Sequence, residues 1–347
     1  MNTSMARAGV LGALGLALVG GTLVGCAAAE EPVPVASPSG EGEVITETVP
    51  APSLANNILG DPAEREIRVY LPPSYATSET RYPVVYFLAG YQEHIGKFAQ
   101  HEENLWAQML EEGSSEFIIV EVEGTSALGG DFYANSPVSG NAEDFLTQDL
   151  VEHIDSTYKT IPDASARGLS GFSMGGSGTI NVGLAHPDVY AALYAHSPGL
   201  LHEDGGLVEM LRDNGAWRAY GATFAPDVDA PAPHMLVIDP QAPLEGQDPA
   251  IVAAWESGFG NLRAKIADYL AQPERLVEIK VAYGTADNYD WIPTGSAYFL
   301  DLLEENGIPS SEYVFDGGHS VAPLFFQSDC VDFFSRTLSA DGATTEG

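Results

Sequence analysis

A pentapeptide near the middle of this 347-residue chain constrains its fold more than any other segment: Gly171-Phe172-Ser173-Met174-Gly175. Glycines two positions before and after a serine are typical of a serine on a sharp turn between a strand and a helix. The backbone of such a serine is strained, and its neighbours must lack side chains that would clash. The turn also directs the first N–H groups of the following helix towards the serine. The N–H of Met174 is therefore a candidate oxyanion donor.

The flanking sequence decides whether this pattern is functional, because glycine- and serine-rich loops without any chemistry also produce it by chance. Residues 166–169 are consistent with a short strand before the turn. Residues 179–185 predict a helix after it, and Pro187 ends that helix. The pattern therefore stands in the order of strand, turn and helix that it requires.

Strands and helices are predicted to alternate along most of the chain. A continuous apolar run at residues 83–88 is expected of a strand that is buried on both faces of a parallel sheet, and residues 117–122 predict the next buried strand. Further strands are predicted at residues 64–71, 191–199, 277–283 and 313–315, and helices at residues 104–110, 144–158, 294–305 and 325–338. This alternation predicts an α/β fold with a mostly parallel central sheet flanked by helices.

Residues 200–272 interrupt the alternation, because they contain many Pro, Gly and Asp residues. We predict an insertion here that lies near the active cleft, with one helix at about residues 260–270. A glycine- and serine-rich loop at residues 124–140 follows a predicted strand. Loops in that position line the cleft of open α/β sheets, so we expect this loop to do the same.

The first 25 residues predict a bacterial lipoprotein signal peptide rather than part of the fold. Arg7 precedes an apolar run at residues 8–24, which ends in the lipobox-like sequence Leu23-Val24-Gly25-Cys26. Lipidation of Cys26 would anchor the protein to a membrane on its extracytoplasmic side, at the cell surface or facing a periplasm. An ordinary secretory signal and a membrane-spanning anchor are the alternatives, and the glycine content and length disfavour the anchor.

Composition suggests the remaining domain organisation. Residues 26–52 are rich in Ala, Glu, Pro, Ser and Gly, which predicts a flexible tether. The folded domain is expected to span residues 53–340, with a disordered tail at residues 341–347. The second cysteine of the chain, Cys330, falls on an amphipathic helix and is expected to be buried.

The chain is strongly acidic, with 49 Asp and Glu residues against 14 Lys and Arg and a formal net charge of -35. Such a charge argues against nucleic acid as a partner, since few cations are present to neutralise phosphates. Composition leaves two explanations open: adaptation to salty surroundings, where ions screen the self-repulsion, or an acidic secreted protein. The sequence contains no phosphate-binding loop, zinc-ligand spacing or dinucleotide fingerprint, so no metal or organic cofactor is expected.

A serine hydroxyl is a weak nucleophile unless a histidine takes its proton, and that histidine needs a carboxylate to orient it. For a serine on this type of turn, the chain order is serine, acid, histidine. Ser173, Asp287 and His319 occur in this order, each in a loop after a predicted strand. Two other acids remain open as partners of the histidine: Asp239 and Asp290.

From about residue 53 onwards the chain resembles the esterase D, feruloyl esterase and antigen 85 branch of the α/β-hydrolase superfamily. The resemblance rests on five segments in order: residues 69–75, 82–88, 171–176, 284–287 and 318–319. It implies the α/β-hydrolase fold with a triad of Ser173, Asp287 and His319. This architecture places a second oxyanion donor in the loop after residue 88, which we assign to the N–H of Tyr91. The branch usually has His-Gly where this chain has Ala89-Gly90, so the side-chain support of that loop is expected to differ.

The triad and the resemblance together imply a serine carboxylesterase that works through an acyl-enzyme on Ser173. The expected substrates are acyl groups esterified to sugars, polysaccharides or other alcohols. One alternative is an acyltransferase like the antigen 85 proteins, in which an alcohol replaces water. A second alternative, from another class, is a binding protein that kept the fold without catalysis.

Overall fold

An eight-stranded sheet forms the centre of the part of the chain that the computed structural model describes, namely residues 40–203, 205–213 and 215–340. Its strands are β1 (Glu43–Pro50), β2 (Glu64–Leu71), β3 (Val84–Leu88), β4 (Ile118–Val122), β5 (Arg167–Phe172), β6 (Ala192–His196), β7 (Glu278–Gly284) and β8 (Ser310–Phe315). Their spatial order is β1-β2-β4-β3-β5-β6-β7-β8. Strand β2 runs antiparallel to β1 and β4, and the other neighbouring pairs in this sheet are parallel. The predicted α/β-hydrolase fold is confirmed.

Helices connect most of the strands. They are α1 (Glu102–Met109), α2 (Leu150–Thr157), α3 (Met174–Ala185), α4 (Gly206–Asp213), α5 (Trp217–Phe224), α6 (Pro249–Glu256), α7 (Leu262–Ala271), α8 (Trp291–Glu305) and α9 (Cys330–Thr337). A π-helical turn at Phe145–Asp149 leads into α2, and another at Phe325–Asp329 leads into α9. These turns account for the longer helices that the sequence predicts at residues 144–158 and 325–338.

Strand β3 shows why a central strand can be an unbroken apolar run in the sequence. Val84, Tyr86 and Leu88 belong to one core cluster, whereas Val85 and Phe87 belong to another. Successive side chains of a strand point to opposite faces, so both faces of the sheet are buried at this strand. The second cluster also contains Cys330, which is fully buried as predicted.

Strand β1 corrects the prediction of a flexible tether at residues 26–52. It pairs antiparallel with β2, from Glu43 opposite Leu71 to Pro50 opposite Glu64. Exposed and less exposed residues alternate along β1 from Ile45 to Pro50, as in a half-buried strand, and Val49 is fully buried. The Glu, Thr and Pro content of the segment hides this alternation, because it is also the composition of a linker. The sheet therefore includes residues before position 53, where the domain was predicted to begin.

Several predictions from the sequence concern residues that the structure does not describe. The predicted signal peptide at residues 1–25, the predicted lipidation site Cys26 and the predicted tail at residues 341–347 all lie outside the described residues. The segment predicted as a tether is described only from residue 40 onwards. Within the described residues, no helix combines the length and apolar character needed to cross a membrane.

The region between β6 and β7 is largely helical, whereas the sequence predicts only one helix there, at about residues 260–270. Helix α7 matches that prediction, and α4, α5 and α6 are additional. Each of these three has only eight residues, so tertiary contacts rather than helix propensity stabilise them. Trp255 of α6 is fully buried, and its indole N–H donates to the carbonyl of Leu236 at 2.9 Å. The hydroxyl of Tyr220 in α5 donates to the Trp255 carbonyl at 2.8 Å.

Candidate active site

Ser173, the serine of the central pattern, lies on a sharp turn between β5 and α3. Its backbone has a φ of 56° and a ψ of -113°, a strained conformation for a residue with a side chain. A Cβ atom on Gly171 would lie 2.4 Å from the carbonyl oxygen of Gly175, and one on Gly175 would lie 2.0 Å from that of Leu88. Close approach of the backbone therefore requires glycine at both positions.

Hydrogen bonds from two neighbouring segments hold the strained turn. The N–H of Ser173 donates to the carbonyl of His196, at the end of β6, over 2.9 Å. The carbonyl of Ser173 accepts from the N–H of Ser177 at 3.0 Å and from the hydroxyl of Ser177 at 3.1 Å. With its backbone groups bonded in this way, the turn keeps the Ser173 side chain in one place.

The structure brings Ser173, His319 and Asp287 into one hydrogen-bonded row. Nε2 of His319 lies 2.8 Å from Oγ of Ser173, and Nδ1 lies 2.7 Å from Oδ2 of Asp287. The Asp287 side chain is fully buried, and that of His319 is 14% exposed. A carboxylate beside Nδ1 favours the tautomer with its proton there, which leaves Nε2 to accept the proton of the serine.

These three residues are far apart in sequence, but all lie at the carboxyl ends of parallel strands. Ser173 directly follows β5, Asp287 lies three residues beyond β7, and His319 lies four residues beyond β8. The carboxyl ends of parallel strands share one edge of the sheet, so their loops converge there.

The alternative acids from the sequence lie away from the histidine. Asp239 and Asp290 are both exposed, and within the described part of the chain neither carboxylate bonds to His319. Oδ1 of Asp239 instead accepts from the N–H of Gln241, inside the insertion, at 2.9 Å.

Two aromatic rings pack against the imidazole of His319. The centroid of the Phe172 ring lies 4.9 Å from it, and that of Tyr289 lies 5.1 Å away in an edge-on arrangement. The backbone N–H of Tyr289 also donates to Oδ1 of Asp287 at 2.9 Å. The rings limit rotation of the imidazole, and the backbone bond fixes the carboxylate that orients it.

A second histidine near the turn, His196, is unsuited to act as a base. Its side chain is fully buried, and burial, with a smaller effect of Lys280, lowers its pKa well below the ordinary value. The imidazole is therefore neutral and enclosed, and only its backbone carbonyl contacts Ser173.

The two residues predicted to supply oxyanion donors, Tyr91 and Met174, both line the cleft that contains Ser173. Met174 is the first residue of α3, a position at which an N–H has no acceptor within the helix. The N–H of Tyr91 has no protein acceptor among the described residues. Both residues line the same cleft as Ser173, so the two N–H groups are suited to bind one carbonyl oxygen.

Two side chains hold the start of the loop that carries Tyr91. The Tyr133 hydroxyl donates to the carbonyl of Ala89 at 2.9 Å. Burial raises the pKa of Tyr133 well above its ordinary value, so this hydroxyl stays protonated. Oε2 of Glu93 accepts from the N–H of Gly90 at 3.0 Å.

A cleft of about 450 Å³ opens beside Ser173. Aromatic side chains form part of its wall, namely those of Tyr91, Phe132, Phe172, Phe259, Tyr289 and Trp291. Phe132 belongs to the loop at residues 124–140 and Phe259 to the insertion, so both segments line the cleft as predicted. Besides His319, Glu93 is the only acidic or basic side chain on this wall among the described residues. No group of three or more His, Cys, Asp or Glu in the described part of the chain is arranged to hold a metal ion.

No sequence motif points to the residues that surround the triad. Phe172 and Tyr289 lie within two positions of Ser173 and Asp287, and this proximity is the only signal that the sequence offers for them. Glu93 and Tyr133 belong to no motif, because each acts on a backbone group that only the folded chain brings near.

The fold and the row of Ser173, His319 and Asp287 define a site of the serine-hydrolase type on an α/β-hydrolase fold. More specifically, the chain belongs to the esterase family described as "Putative esterase", which matches residues 61–332. Esterase Rv1288 of Mycobacterium tuberculosis H37Rv is 27% identical over 297 residues. That alignment covers 81% of this chain and 58% of the relative, so the chain spans little more than half of its length.

Solved structures resemble this chain over nearly all of their length. A ferulic acid esterase has a TM-score of 0.56 at 20% identity, and the match covers 86% of this chain and 99% of that protein. An S-formylglutathione hydrolase from Agrobacterium tumefaciens has a TM-score of 0.57 at 16% identity, covering 87% and 97%. FphF, a fluorophosphonate-binding serine hydrolase of Staphylococcus aureus, has a TM-score of 0.58 at 13% identity, covering 86% and 100%. At these identities, the similarity concerns the fold.

Proposed function

We propose that the chain is a serine carboxylesterase that hydrolyses acyl esters through an acyl-enzyme on Ser173. The observation that carries this function is the unbroken row of two short hydrogen bonds, 2.8 Å from Ser173 to His319 and 2.7 Å from His319 to Asp287. A row of this kind gives a serine hydroxyl a base and gives that base a fixed orientation.

In the first half of the reaction, Oγ of Ser173 attacks the ester carbonyl carbon while Nε2 of His319 takes the hydroxyl proton. The carbonyl electron pair moves to oxygen, and the N–H groups of Tyr91 and Met174 stabilise the resulting oxyanion. Collapse of this intermediate breaks the bond to the alcohol oxygen, which receives the proton from His319. The alcohol leaves, and the acyl group remains on Ser173. Throughout, Asp287 stabilises the positive charge that His319 acquires.

In the second half, a water molecule replaces the alcohol. His319 takes a proton from the water as its oxygen attacks the acyl carbonyl, and the same two N–H groups hold the second oxyanion. The proton then returns to Oγ of Ser173 as the acid is released. Every proton transfer runs through His319, and the protein is unchanged at the end.

The cleft supports an uncharged substrate with an apolar or aromatic portion. Its wall combines aromatic rings with one charged carboxylate, that of Glu93, which is already paired with Lys97 at 2.8 Å, so the described wall offers an anionic acyl group no unpaired cation. Acyl groups esterified to sugars or polysaccharides satisfy these conditions. One structural neighbour is named a ferulic acid esterase and another an S-formylglutathione hydrolase. For this chain, the residues that line the cleft favour an uncharged ester.

Hydrolysis of p-nitrophenyl esters of increasing acyl length tests this function. The unmodified chain should turn over these esters and should be labelled by a fluorophosphonate at Ser173, whereas Ser173→Ala should lose both properties. Ser156→Ala, which changes a serine of α2 away from the cleft, is the matched control and should behave like the unmodified chain. A folded chain that neither hydrolyses any ester nor accepts the label would favour the non-catalytic binding protein.

Acyl transfer is the second candidate, because an alcohol can replace water in the second half of the reaction. Addition of a sugar acceptor during ester turnover distinguishes the two functions. Free acid as the dominant product supports the esterase, whereas acylated sugar as the dominant product would replace it with a transferase.

We also propose that the protein is a lipoprotein anchored on the extracytoplasmic side of a membrane through Cys26. The support is the Leu23-Val24-Gly25-Cys26 sequence directly after an apolar run. Replacement of Cys26 with serine should release the protein from membranes in a bacterial host. Continued association of Cys26→Ser with the membrane fraction would contradict lipidation at this residue.

A further inference from the structure

The oxyanion loop, residues 89–98, connects β3 to the segment before α1 and carries the N–H of Tyr91. We propose that Glu93 is a positioning residue that holds the start of this loop beside Ser173, and that Lys97 neutralises the charge which Glu93 brings to the cleft. This role rests on the esterase function proposed above.

Glu93 closes a tight turn at the start of the loop. Its Oε2 accepts from the N–H of Gly90 at 3.0 Å, and its own N–H donates to the carbonyl of Gly90 at 3.1 Å. The first bond has an ionised acceptor, which makes it stronger than a bond between neutral groups. Tyr91 lies inside the turn that these two bonds close. The position of its N–H therefore depends on the Glu93 side chain.

A separate anchor holds the far end of the loop. The buried carboxylate of Glu121 in β4 accepts from the N–H of Gly96 at 2.7 Å and from that of Phe98 at 3.0 Å. Loss of Glu93 should therefore free the start of the loop while its far end stays on the sheet.

The negative charge of Glu93 would oppose the oxyanion if nothing compensated for it, because Glu93 lines the cleft in which the oxyanion forms. Nζ of Lys97 lies 2.8 Å from Oε1 of Glu93, which makes the pair neutral overall. The same ammonium lies 4.8 Å from the ring centroid of Phe172, the residue that packs against His319. About a third of each side chain of the pair is exposed, so the pair contributes little to folding and its main effect is on the cleft.

The bond from Gly90 to Glu93 and the ion pair of Glu93 with Lys97 predict distinct effects on kcat when Glu93 or Lys97 is replaced. Glu93→Ala removes the bond to Gly90 and should lower kcat by about 10–100-fold, since misplacement of one oxyanion donor has effects of this size. KM should stay within about threefold, because the oxyanion forms only after substrate binds. Lys97→Met leaves an uncompensated carboxylate and should lower kcat by a smaller factor.

The double variant Glu93→Gln with Lys97→Met provides a rescue. Glutamine keeps an oxygen that can accept from the N–H of Gly90, and it carries no charge that needs compensation. Its kcat should therefore lie closer to that of the unmodified chain than the kcat of Lys97→Met does. The matched control is Glu123→Gln, which removes the charge of a carboxylate 2.9 Å from Nδ1 of His94 in the same loop and does not touch Gly90.

The experiment measures kcat and KM of the full chain and these variants with p-nitrophenyl acetate, together with amide hydrogen exchange of the peptide over residues 89–93. Exchange should increase in Glu93→Ala and not in Glu123→Gln. A Glu93→Ala chain with exchange like that of the unmodified chain, or with kcat within about twofold of it, overturns the positioning role. Amide hydrogen exchange measures the mobility of the loop without substrate turnover. If the unmodified chain has no activity, the esterase function is rejected, and the exchange data still test the positioning role of Glu93.

Discussion

The backbone N–H of Tyr289 donates to Oδ1 of Asp287 at 2.9 Å, which leaves Oδ2 to face His319 at 2.7 Å. The two oxygens of one buried carboxylate therefore have separate tasks. One holds the side chain against its own loop, and the other orients the histidine. This division explains how a residue three positions beyond the end of β7 is held at a defined distance from a residue of another loop.

Replacement of Asp287 with asparagine should lower kcat by roughly 10³–10⁴-fold while KM changes little. The asparagine side chain fits the same space and can still accept from Tyr289. Its amide N–H, however, would face Nδ1 of His319 and favour the tautomer with the proton on Nε2. That tautomer cannot accept a proton from Ser173. Ester turnover over a range of substrate concentrations measures the effect.

Asp290→Asn is the matched control for this substitution, because Asp290 lies in the same loop and is exposed. We expect its turnover to match that of the unmodified chain. A larger loss in Asp290→Asn than in Asp287→Asn would assign the acid to Asp290 instead.

The site residues that the sequence could predict are those with a local signal. Ser173 has a glycine pattern around it, and Asp287 and His319 each follow an apolar strand. Glu93 has no such signal, because its partner is a backbone N–H that only the folded turn brings within reach. Sequence patterns thus reveal residues whose position depends on one strand end, and they miss residues whose role depends on the shape of a loop.

Gly175→Ala should destabilise the protein and remove its activity. The added Cβ atom would lie 2.0 Å from the carbonyl oxygen of Leu88, a distance that backbone atoms cannot accommodate without moving. We expect a loss of about 1–3 kcal/mol or more in the free energy of unfolding, as in other overpacked sites. A displaced turn should also lower kcat/KM by about 100-fold or more, since the oxyanion donor Met174 moves with it.

Gly246→Ala is the control for this prediction, because a Cβ atom at Gly246 meets no other atom within 4 Å. Its stability and activity should match those of the unmodified chain. Unfolding in urea measures the first quantity, and ester turnover measures the second. A fully active Gly175→Ala protein would show that the turn tolerates a side chain there.

Strands that are buried along their whole length could be predicted from the sequence, whereas elements that are only partly buried were harder to predict. Strand β3 is a continuous apolar run and β4 is apolar except for Glu121, and the sequence identifies both nearly to the residue. At the edge of the sheet, β1 exposes polar residues on one face and has the composition of a linker. Helices α4, α5 and α6 are short and depend on tertiary contacts, such as the hydrogen bond between Trp255 and Leu236. Such contacts leave no pattern in the local sequence.

Lys265 should make stability depend on pH. Its ammonium group lies beneath the surface, although part of the residue is exposed, and bonds the side-chain oxygen of Asn181 at 2.9 Å and the carbonyl of Gly258. Burial lowers the pKa of this amine to about 7, from 10.5. Between these two values the unfolded chain binds more protons than the folded chain, so the contribution of Lys265 to stability rises with pH. Below about pH 7 the contribution is constant and unfavourable.

Comparison with Lys265→Met isolates this contribution from the other titrating groups. The free energy of unfolding of the unmodified chain minus that of Lys265→Met should rise between pH 7 and 10, by at most about 1.4 kcal/mol per pH unit. Lys265→Arg keeps its charge throughout and should show no comparable rise relative to Lys265→Met. Urea unfolding at a series of pH values provides the measurement. Parallel stability curves for the unmodified chain and Lys265→Met would mean that the amine is not buried in a way that affects its protonation.

Salt should stabilise the protein, because a net charge of -35 makes the folded chain repel itself. An increase in NaCl from about 0.1 M to 1 M shortens the screening distance from about 10 Å to 3 Å, which removes most repulsion between surface carboxylates. We expect the midpoint of thermal unfolding to rise by about 4 °C, equivalent to about 2–3 kcal/mol for a chain of this size. KCl should have the same effect, since screening does not depend on the identity of the ion.

A charge reversal on the acidic surface separates screening from other effects of salt. Glu64 and Glu66 are exposed on β2 and lie with Asp61 along one groove. Glu66→Lys should raise the unfolding midpoint at about 0.1 M NaCl and should gain less from 1 M NaCl than the unmodified chain, because part of the repulsion is already gone. The unfolding midpoint of Glu66→Gln and its gain from salt should lie between those of the unmodified chain and those of Glu66→Lys. Equal gains from salt in all three proteins would indicate that the salt acts through hydration of the surface, and adaptation of this acidic chain to saline surroundings would lose its physical basis.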